Sequence, residues 1–240
     1  MGHLAVRIRN LGYLAGHFRF SEILRKLSHR LSSDSYAYGL RRDLANPCVP
    51  PEAQIPLTVR ALRESDLARI FVFNRSGQSP EDVAELESRL EHIYAAIPTC
   101  YVAVSEDDIP TYIQWLMGSQ ENERIQAYFN GIFPILSPDE ALLENAFTLR
   151  EFRGKGIMAA AMARIAEQGS GIGARSVITF VDVNNIASLK GCRRAGFHPY
   201  TLRHERWRLF RRELTFSGIP QPSEVIDYSH QWDQHVPVGG

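Results

Sequence analysis

The chain has 240 residues, of which 44% are apolar and 10% aromatic, and its formal net charge at pH 7 is zero. This length and apolar content suffice for one sizeable core, so we expect a single domain with extensions. A net charge of zero provides no overall field to attract nucleic acid or an anionic membrane, and we predict no nucleic-acid partner.

The chain contains three cysteines, Cys48, Cys100 and Cys192, which lie far apart in the sequence. An odd number at this spacing predicts neither a disulfide framework nor a zinc site, so we expect no bound metal and a reducing, cytoplasmic location. No apolar run approaches the roughly 20 residues that span a bilayer. The run at residues 11–16 is too short for the apolar part of a signal peptide.

The first 42 residues are locally basic, with eight Lys or Arg residues against Glu22 and Asp34. Apolar residues recur at near-helical spacing in residues 21–31, which predicts an amphipathic helix with Ser21 as its cap. Contact of residues 1–42 with a membrane surface or a partner protein is one interpretation, and packing on the chain's own domain is the favoured one. The proline-rich residues 46–51 predict a linker, so residues 1–54 are expected to form a basic N-terminal extension and linker.

From residue 55 the pattern is that of a folded domain, which we expect to extend to residue 217. In chain order the predicted elements are a strand at 57–61, a helix starting at Ser65 or Asp66, a helix starting at Ser79-Pro80, and strands at 100–105 and 111–117. The stretch 118–139 leaves two alternatives. Asn130-Gly131 favours a hairpin turn, whereas Ser137-Pro138-Asp139-Glu140 is typical of a helix start.

A glycine-containing loop, Arg153-Gly154-Lys155-Gly156-Ile157, stands between an apolar strand-like run and an alanine-rich helical run. Its two glycines let the backbone turn tightly with N–H groups facing outward, and the start of the following helix is electrically positive. Arg153 and Lys155 add positive charge and hydrogen-bond donors. The loop therefore predicts a phosphate site, with a plain chain turn as the alternative.

The second half of the domain repeats the alternation of strand and helix. Residues 176–183 are rich in β-branched side chains and predict a buried strand. Asn185-x-x-Ser188 then predicts the start of a short helix that Gly196 ends. Two closing strands are predicted in the stretch that contains Trp207 and Leu214, and residues 218–240 are expected to form a C-terminal tail.

Taken in order, the strand, the Arg-x-x-Gly loop, the helix, the second strand, Asn-x-x-Ser and Gly196-Phe197 resemble the GNAT superfamily of N-acetyltransferases. The resemblance covers residues 144–200 well and residues 55–118 more loosely. It implies an α/β fold of the mixed α+β kind, with a central mixed, mostly antiparallel sheet flanked by helices. It also implies an N-acyltransferase that moves an acetyl or other acyl group from acyl-CoA to an amine by direct attack on the thioester.

The resemblance further implies where acetyl-CoA, the co-substrate, would bind. The glycine loop would hold its pyrophosphate, the preceding strand would pair with the pantetheine amides, and the second helix would close over the thioester. Carried over by position, the cofactor-binding residues are Phe147, Thr148, Leu149, Arg153, Gly154, Lys155, Gly156, Ile157, Met158, Ala159, Asn185 and Ser188. Met158 stands where family members usually carry a small residue, so the cofactor is expected to approach more tightly there or to be displaced.

Two catalytic candidates follow from the resemblance. Glu144 lies where family members often carry a carboxylate that deprotonates the acceptor ammonium, and a solvated glutamate at a strand edge is the alternative. Cys192 lies where many members carry a tyrosine that protonates the CoA thiolate, and an ordinary packed cysteine is the alternative. Asp182 and Tyr200 are reserve candidates because both are expected near strand ends.

The acceptor is a small-molecule or protein amine that the sequence does not identify. Four aromatic residues are candidates for an acceptor pocket, although such residues more often pack in a core, namely Trp115, Tyr128, Phe129 and Phe133. A dinucleotide-binding domain is an alternative, because residues 154–159 fit Gly-x-Gly-x-x-Ala with Asp182 as a ribose ligand. The dinucleotide interpretation is the weaker one, because four residues separate the strand from Gly154, whereas a dinucleotide-binding turn follows its strand almost directly. A non-catalytic module that binds acyl-CoA is the third possibility, and the oligomeric state stays open.

Overall fold

The computed structural model of the protein describes residues 28–46, 48–71 and 80–219, without the side chains of residues 80 and 81. The eight strands are β1 (Ser32–Asp43), β2 (Thr58–Ala61), β3 (Cys100–Val104), β4 (Pro110–Gly118), β5 (Glu140–Thr148), β6 (Ser176–Asp182), β7 (His198–Arg208) and β8 (Arg211–Ser217). The helices are α1 (Glu64–Phe71), α2 (Pro80–Tyr94), α3 (Asn122–Tyr128), α4 (Ile157–Glu167) and α5 (Ile186–Arg194).

All eight strands form one sheet in the order β2-β3-β4-β5-β6-β1-β7-β8. Every neighbouring pair is antiparallel except β5 and β6, which run parallel. The predicted mixed, mostly antiparallel sheet with flanking helices is therefore confirmed. The strands predicted at 57–61, 100–105, 111–117 and 176–183 correspond to β2, β3, β4 and β6.

Helices cover both faces of the sheet because each face carries its own set of buried apolar side chains. On one face α4 packs with residues such as Leu40, Leu116 and Leu143. Eight of the eleven residues of α4 are buried, which explains why an alanine-rich sequence forms it. On the other face α1, α2 and α3 pack with residues such as Ile113 and Leu142.

The N-terminal segment contributes more than the expected extension. Strand β1 lies between β6 and β7 and pairs with both, so the expected boundary at residue 55 does not separate residues 32–43 from the sheet. Residues 37–40 and Arg42 are buried. The sequence prediction was based on the basic charge of this segment and did not recognise the alternation of buried and exposed side chains along it. The predicted helix at 21–31 lies for the most part outside the described residues, as does the tail from residue 220 onward.

The stretch 118–139 follows neither sequence alternative. It contains a 3₁₀ turn and then α3, and β5 begins at Glu140 where a helix start had been considered. Asn130 and Gly131 both have positive φ, as expected for a tight turn, but they follow α3 and do not connect two paired strands. Within the described residues, no helix is long and apolar enough to cross a membrane.

Strand β6 is paired very unequally along its two edges. Seven of its residues pair with β1, from Ser176 opposite Asp43 to Asp182 opposite Ala37. Only three pair with β5, which ends the contact at Leu142 opposite Ile178. Beyond that point β5 and β6 separate, so their facing backbone edges open a gap in the sheet at the C-terminal ends of both strands.

Arg42 ties β1 to the helix face of the sheet. Its guanidinium donates to the backbone oxygens of Ala163 at 2.8 Å and Ala195 at 3.3 Å, and to Glu167 Oε1 at 3.1 Å. Ala163 lies in α4 and Ala195 ends α5, so one buried side chain joins both helices to the inner strand β1. Its charge complements the negative C-terminal ends of the two helices.

Replacing Arg42 tests this role. Arg42→Ala leaves two buried carbonyl oxygens without their donor, so we expect the free energy of unfolding to fall by about 2–4 kcal/mol in denaturant titrations. Arg63→Ala is the control because Arg63 is 60% exposed and pairs with Asp108 at 3.5 Å. We expect it to cost less than about 0.5 kcal/mol. An equal loss of unfolding free energy in the two variants would show that the Arg42 contacts stabilise the fold no more than an exposed ion pair does.

Candidate functional site

A cleft of about 610 Å³ lies at the C-terminal end of β5, where β5 and β6 have separated. Parts of β5, the glycine loop, the first turn of α4, α5 and the start of α2 form its walls. Ten of the residues predicted to bind the cofactor line it, namely Phe147, Thr148, Arg153, Gly154, Gly156, Ile157, Met158, Ala159, Asn185 and Ser188. The chain therefore brings most of the predicted cofactor residues to one cavity.

The glycine loop has the geometry of an anion site. Gly154 and Gly156 have φ of +78° and +74°, a left-handed conformation that favours glycine, and a Cβ on Gly154 would face open space. Gly156 caps α4 without a side-chain hydrogen bond, and the first turn of α4 carries no acidic residue. The positive end of this helix therefore faces the cleft without an acidic residue in its own first turn, and the two carboxylates that line the cleft, Asp82 and Glu85, belong to α2.

Basic side chains surround this loop. Arg153 lines the cleft, where it pairs with Asp82 at 2.6 Å and donates to the backbone oxygen of Thr148 at 3.1 Å. Lys190 and Arg194 of α5 also line the cleft, and a Cβ on Gly156 would lie 3.8 Å from Arg194 Nη2. The sequence analysis missed these two cations. Their spacing of four residues on a helix places them on one face, which is the signal that was available.

Met158 fits because α5 has a glycine opposite it. A Cβ on Gly191 would lie only 3.0 Å from Met158 Sδ and 3.3 Å from its Cε. The bulky residue at a usually small position is thus accommodated by a small residue on the facing helix. Both residues line the cleft, so the methionine side chain forms part of its wall.

Two predicted cofactor residues do not line the cleft. Leu149 follows the end of β5, its side chain is buried in the core on the α1–α3 face, and its N–H donates to Thr111 O at 3.0 Å. Lys155 places its ammonium over the ring of Phe152 at 5.1 Å, and its carbonyl oxygen accepts from Gln54 N at 2.9 Å. The segment before β2 therefore crosses behind the glycine loop and supports it.

Glu144 is half-buried on β5, two residues before the cleft-lining Ala146, and does not itself line the cleft. Burial raises the pKa of its carboxyl from 4.5 to about 7, and the hydrogen bond from Asn145 N and the charges of Arg203 and Arg89 oppose this rise. Its Oε2 has no hydrogen-bond partner among the described residues. The partial burial of Glu144 distinguishes it from the fully solvated glutamate that was considered as the alternative.

Arg89 and Tyr112 were not predicted, although both line the cleft. Arg89 of α2 donates to the backbone oxygen of Ala146 at 3.0 Å and lies over the ring of Phe147 at 4.7 Å. Tyr112 of β4 is fully buried and donates from its hydroxyl to Gln114 Oε1 at 2.6 Å. Burial raises the pKa of Tyr112 well above 10, and the nearby groups that act on it include Cys192, Arg89 and Glu144.

Cys192 lies in α5, fully buried in the core on the α4 face, and is not part of the cleft wall. Burial raises the pKa of its thiol to about 12, with a further contribution from the charge of Glu144. The reserve candidates also lie outside the wall. Asp182 accepts from Asn184 N in the turn after β6, and Tyr200 packs its ring under the guanidinium of Arg41.

The four aromatic residues considered for an acceptor pocket pack beside His92, on the α1–α3 face of the sheet. The ring of His92 contacts Trp115, Tyr128 and Phe129, and Phe129 contacts Phe133 at 5.0 Å between centroids. Phe133 continues the series to Phe180 of β6. In the part of the chain that the structure describes, no group of three or more His, Cys, Asp or Glu side chains could hold a metal ion.

Comparison with known proteins identifies the family. Residues 56–198 match the acetyltransferase (GNAT) domain. Because the match spans more than half of the chain, the protein belongs to the GNAT acetyltransferase family, as the sequence motifs predicted. This membership favours the acyl-CoA interpretation of the cleft over the dinucleotide alternative. No curated protein matches the chain.

Solved structures with a similar fold share little sequence with the chain. A GCN5-related N-acetyltransferase from Sphaerobacter thermophilus is 16% identical, with a TM-score of 0.46, over 84% of this chain and 58% of that one. The glucosamine N-acetyltransferase region of a fungal multi-domain GH3 β-N-acetylglucosaminidase is 14% identical, with a TM-score of 0.53, over 78% of this chain and 22% of that one. The chain thus spans less than two thirds of these proteins, and the likeness concerns the fold.

The contact between Met158 and Gly191 gives a prediction about ligand binding. Gly191→Leu forces Met158 toward the cleft. Overpacking of this kind costs about 1–2 kcal/mol, so we expect acetyl-CoA to bind about 5- to 30-fold more weakly in calorimetry. Adding Met158→Ala to the same chain removes the clash and is expected to restore most of the affinity. Weak binding that persists in the double variant would contradict this explanation.

Proposed function

We propose that the protein is an N-acetyltransferase that transfers the acetyl group of acetyl-CoA to an amine. The observation that carries this proposal is the glycine loop and uncapped start of α4, which face a cleft at the separated ends of β5 and β6. An anionic diphosphate suits the helix terminus and its cations, and an extended amide-bearing chain suits an unpaired strand edge.

In this proposal the diphosphate of acetyl-CoA lies against the loop residues Gly154 and Gly156 and the N–H groups that follow them. Lys190 and Arg194 supply positive charge from the facing helix, and Arg153 supplies it from the loop. The pantetheine chain lies along β5 beside Phe147 and Thr148. Asn185 and Ser188 line the cleft at the start of α5, where Asn185 Oδ1 already accepts a hydrogen bond from Ser188 N at 3.1 Å.

Glu144 is the proposed general base. A carboxylate with a pKa near 7 is half ionised at neutral pH and can take a proton from an ammonium group, directly or through water. The neutral amine then attacks the thioester carbonyl carbon, the bond from carbon to sulfur breaks, and the thiolate receives a proton. The Oε2 atom of Glu144, which has no hydrogen-bond partner among the described residues, is the proposed acceptor of this proton.

The proton for the thiolate has two candidate donors. Cys192 is the residue that the family pattern indicates, and it lies in the core behind the cleft wall. Tyr112 lies in the wall itself, and its hydroxyl is close enough to Cys192 and Glu144 for each to act on its pKa. We therefore propose Tyr112 as the acid, in place of the tyrosine that family members carry on the helix.

The first test measures binding and turnover with acetyl-CoA. We expect calorimetry to detect acetyl-CoA binding, and release of free CoA to accelerate when a suitable amine is added. Glu144→Gln should bind acetyl-CoA with unchanged affinity and lower kcat/KM about 10²- to 10⁴-fold. In the wild type kcat/KM should rise with pH through about 7, because the base must be ionised.

The exposed Glu151→Gln serves as the matched control and is expected to keep both rate and pH profile. A folded protein that binds neither acetyl-CoA nor another acyl-CoA would refute the proposed function. A chain that binds acetyl-CoA but releases CoA at the same rate with and without every amine tested would instead be the non-catalytic module considered from the sequence.

The acid assignment is tested by a pair of variants. Tyr112→Phe removes only the hydroxyl, and we expect kcat to fall about 10- to 100-fold while acetyl-CoA affinity is kept. Cys192→Ala removes the thiol from the core, and we expect it to lower the melting temperature but to change kcat less than about threefold. The reverse pattern, with a large loss of kcat in Cys192→Ala alone, would assign the acid to Cys192.

A further inference from the structure

Arg203 of β7 places a positive charge on the sheet face that α1, α2 and α3 cover. Its guanidinium lies over the rings of Phe133 and Phe180, at 5.8 and 5.3 Å from the ring centroids. Both rings belong to the core on that face, and the arginine itself is half-buried. Aromatic faces hold a guanidinium in place and leave the donors at its edge directed away from the rings.

Arg203 differs from the other arginines nearby in its lack of a carboxylate partner. Arg206 pairs with Glu213, Arg208 with Asp34 and Arg212 with Glu205. For Arg203, the described part of the chain offers a hydrogen bond to Ile132 O at a long 3.5 Å and no ion pair within 4.0 Å. A half-buried guanidinium without a bound anion has unused capacity for a bidentate hydrogen bond to a carboxylate.

The charges of Glu144 and Arg203 act on each other, because, against the opposite effect of burial on each group, Glu144 raises the pKa of Arg203 and Arg203 lowers the pKa of Glu144. Alternation along β5 places Glu144 on the same face as Leu142, which is the face of Phe133 and Phe180. A cation and an anion therefore face one region without touching each other.

We propose that Arg203 binds the carboxylate of the acceptor, so that the acceptor is an amino acid or a similarly small amine that carries a carboxylate. Its ammonium group lies at the unpartnered oxygen of Glu144, and its carboxylate lies at the guanidinium on the two phenyl rings. Each charged group of such a zwitterion meets an opposite charge that already stands in the protein. This inference rests on the proposed function, because it assigns the second substrate of the same reaction.

The test compares amino acids with their carboxamides as acceptors in the CoA-release assay with acetyl-CoA. We expect kcat/KM for the preferred amino acid to exceed that of its carboxamide at least tenfold in the wild type. Arg203→Gln should abolish this preference by lowering the rate with the acid while the rate with the amide is kept. Arg203→Lys keeps the charge without the fork and should restore part of the preference.

Arg206→Gln is the matched control, because Arg206 lies on the same strand but is exposed and pairs with Glu213 at 4.0 Å. It should keep the wild-type preference, and unchanged acetyl-CoA affinity in all variants would verify that they are folded. Three outcomes would overturn this inference while leaving the proposed function intact. They are equal rates with amino acids and their carboxamides, a preference that survives Arg203→Gln, and no acetylation of any amino acid by a protein that binds acetyl-CoA. Failure to bind acetyl-CoA would instead refute the proposed function.

Discussion

The unequal pairing of β6 is the constraint on which the rest of the molecule depends. A strand has two edges, and β6 follows β1 over seven residues on one side while it stays with β5 for only three on the other. Because β6 turns away with β1, the end of β5 loses its neighbour. The backbone groups that face this gap need partners that the sheet does not supply, and the cleft with its glycine loop opens at that position.

The same arrangement explains how charged side chains are held next to the cleft. Arg42 joins the two helices that border the cleft to β1, so the start of α4 and the start of α5 keep a fixed relation to the gap. Arg89 holds the backbone of β5 at Ala146. With these contacts in place, Glu144 stays half-buried, its Oε2 has no hydrogen-bond partner among the described residues, and desolvation raises its pKa to about 7. A polar environment that is arranged in advance can stabilise charge without reorganising during a reaction.

Much of this could be predicted from local sequence patterns. The glycine loop, the capped start of α5 and the strands that flank them carry turn and cap signals that act within a few residues. Such signals could not place β1, whose position depends on pairing with residues that lie between 133 positions (Asp43 to Ser176) and 176 positions (Ser32 to Arg208) away. They also could not pair Met158 with Gly191, which meet only when α4 and α5 pack. Arg203 was overlooked because an arginine on a strand looks solvated until the rings beneath it are known.

Because of β1, the folded sheet and the region that matches the family begin at different residues. The family match begins at residue 56, but the sheet includes residues 32–43 as an inner strand. A shortened protein cut at the start of the match would expose the long edges of both β6 and β7, and open strand edges of this length favour pairing between molecules. The sheet therefore extends beyond the homologous region at its amino end, and that added length forms one of its inner strands.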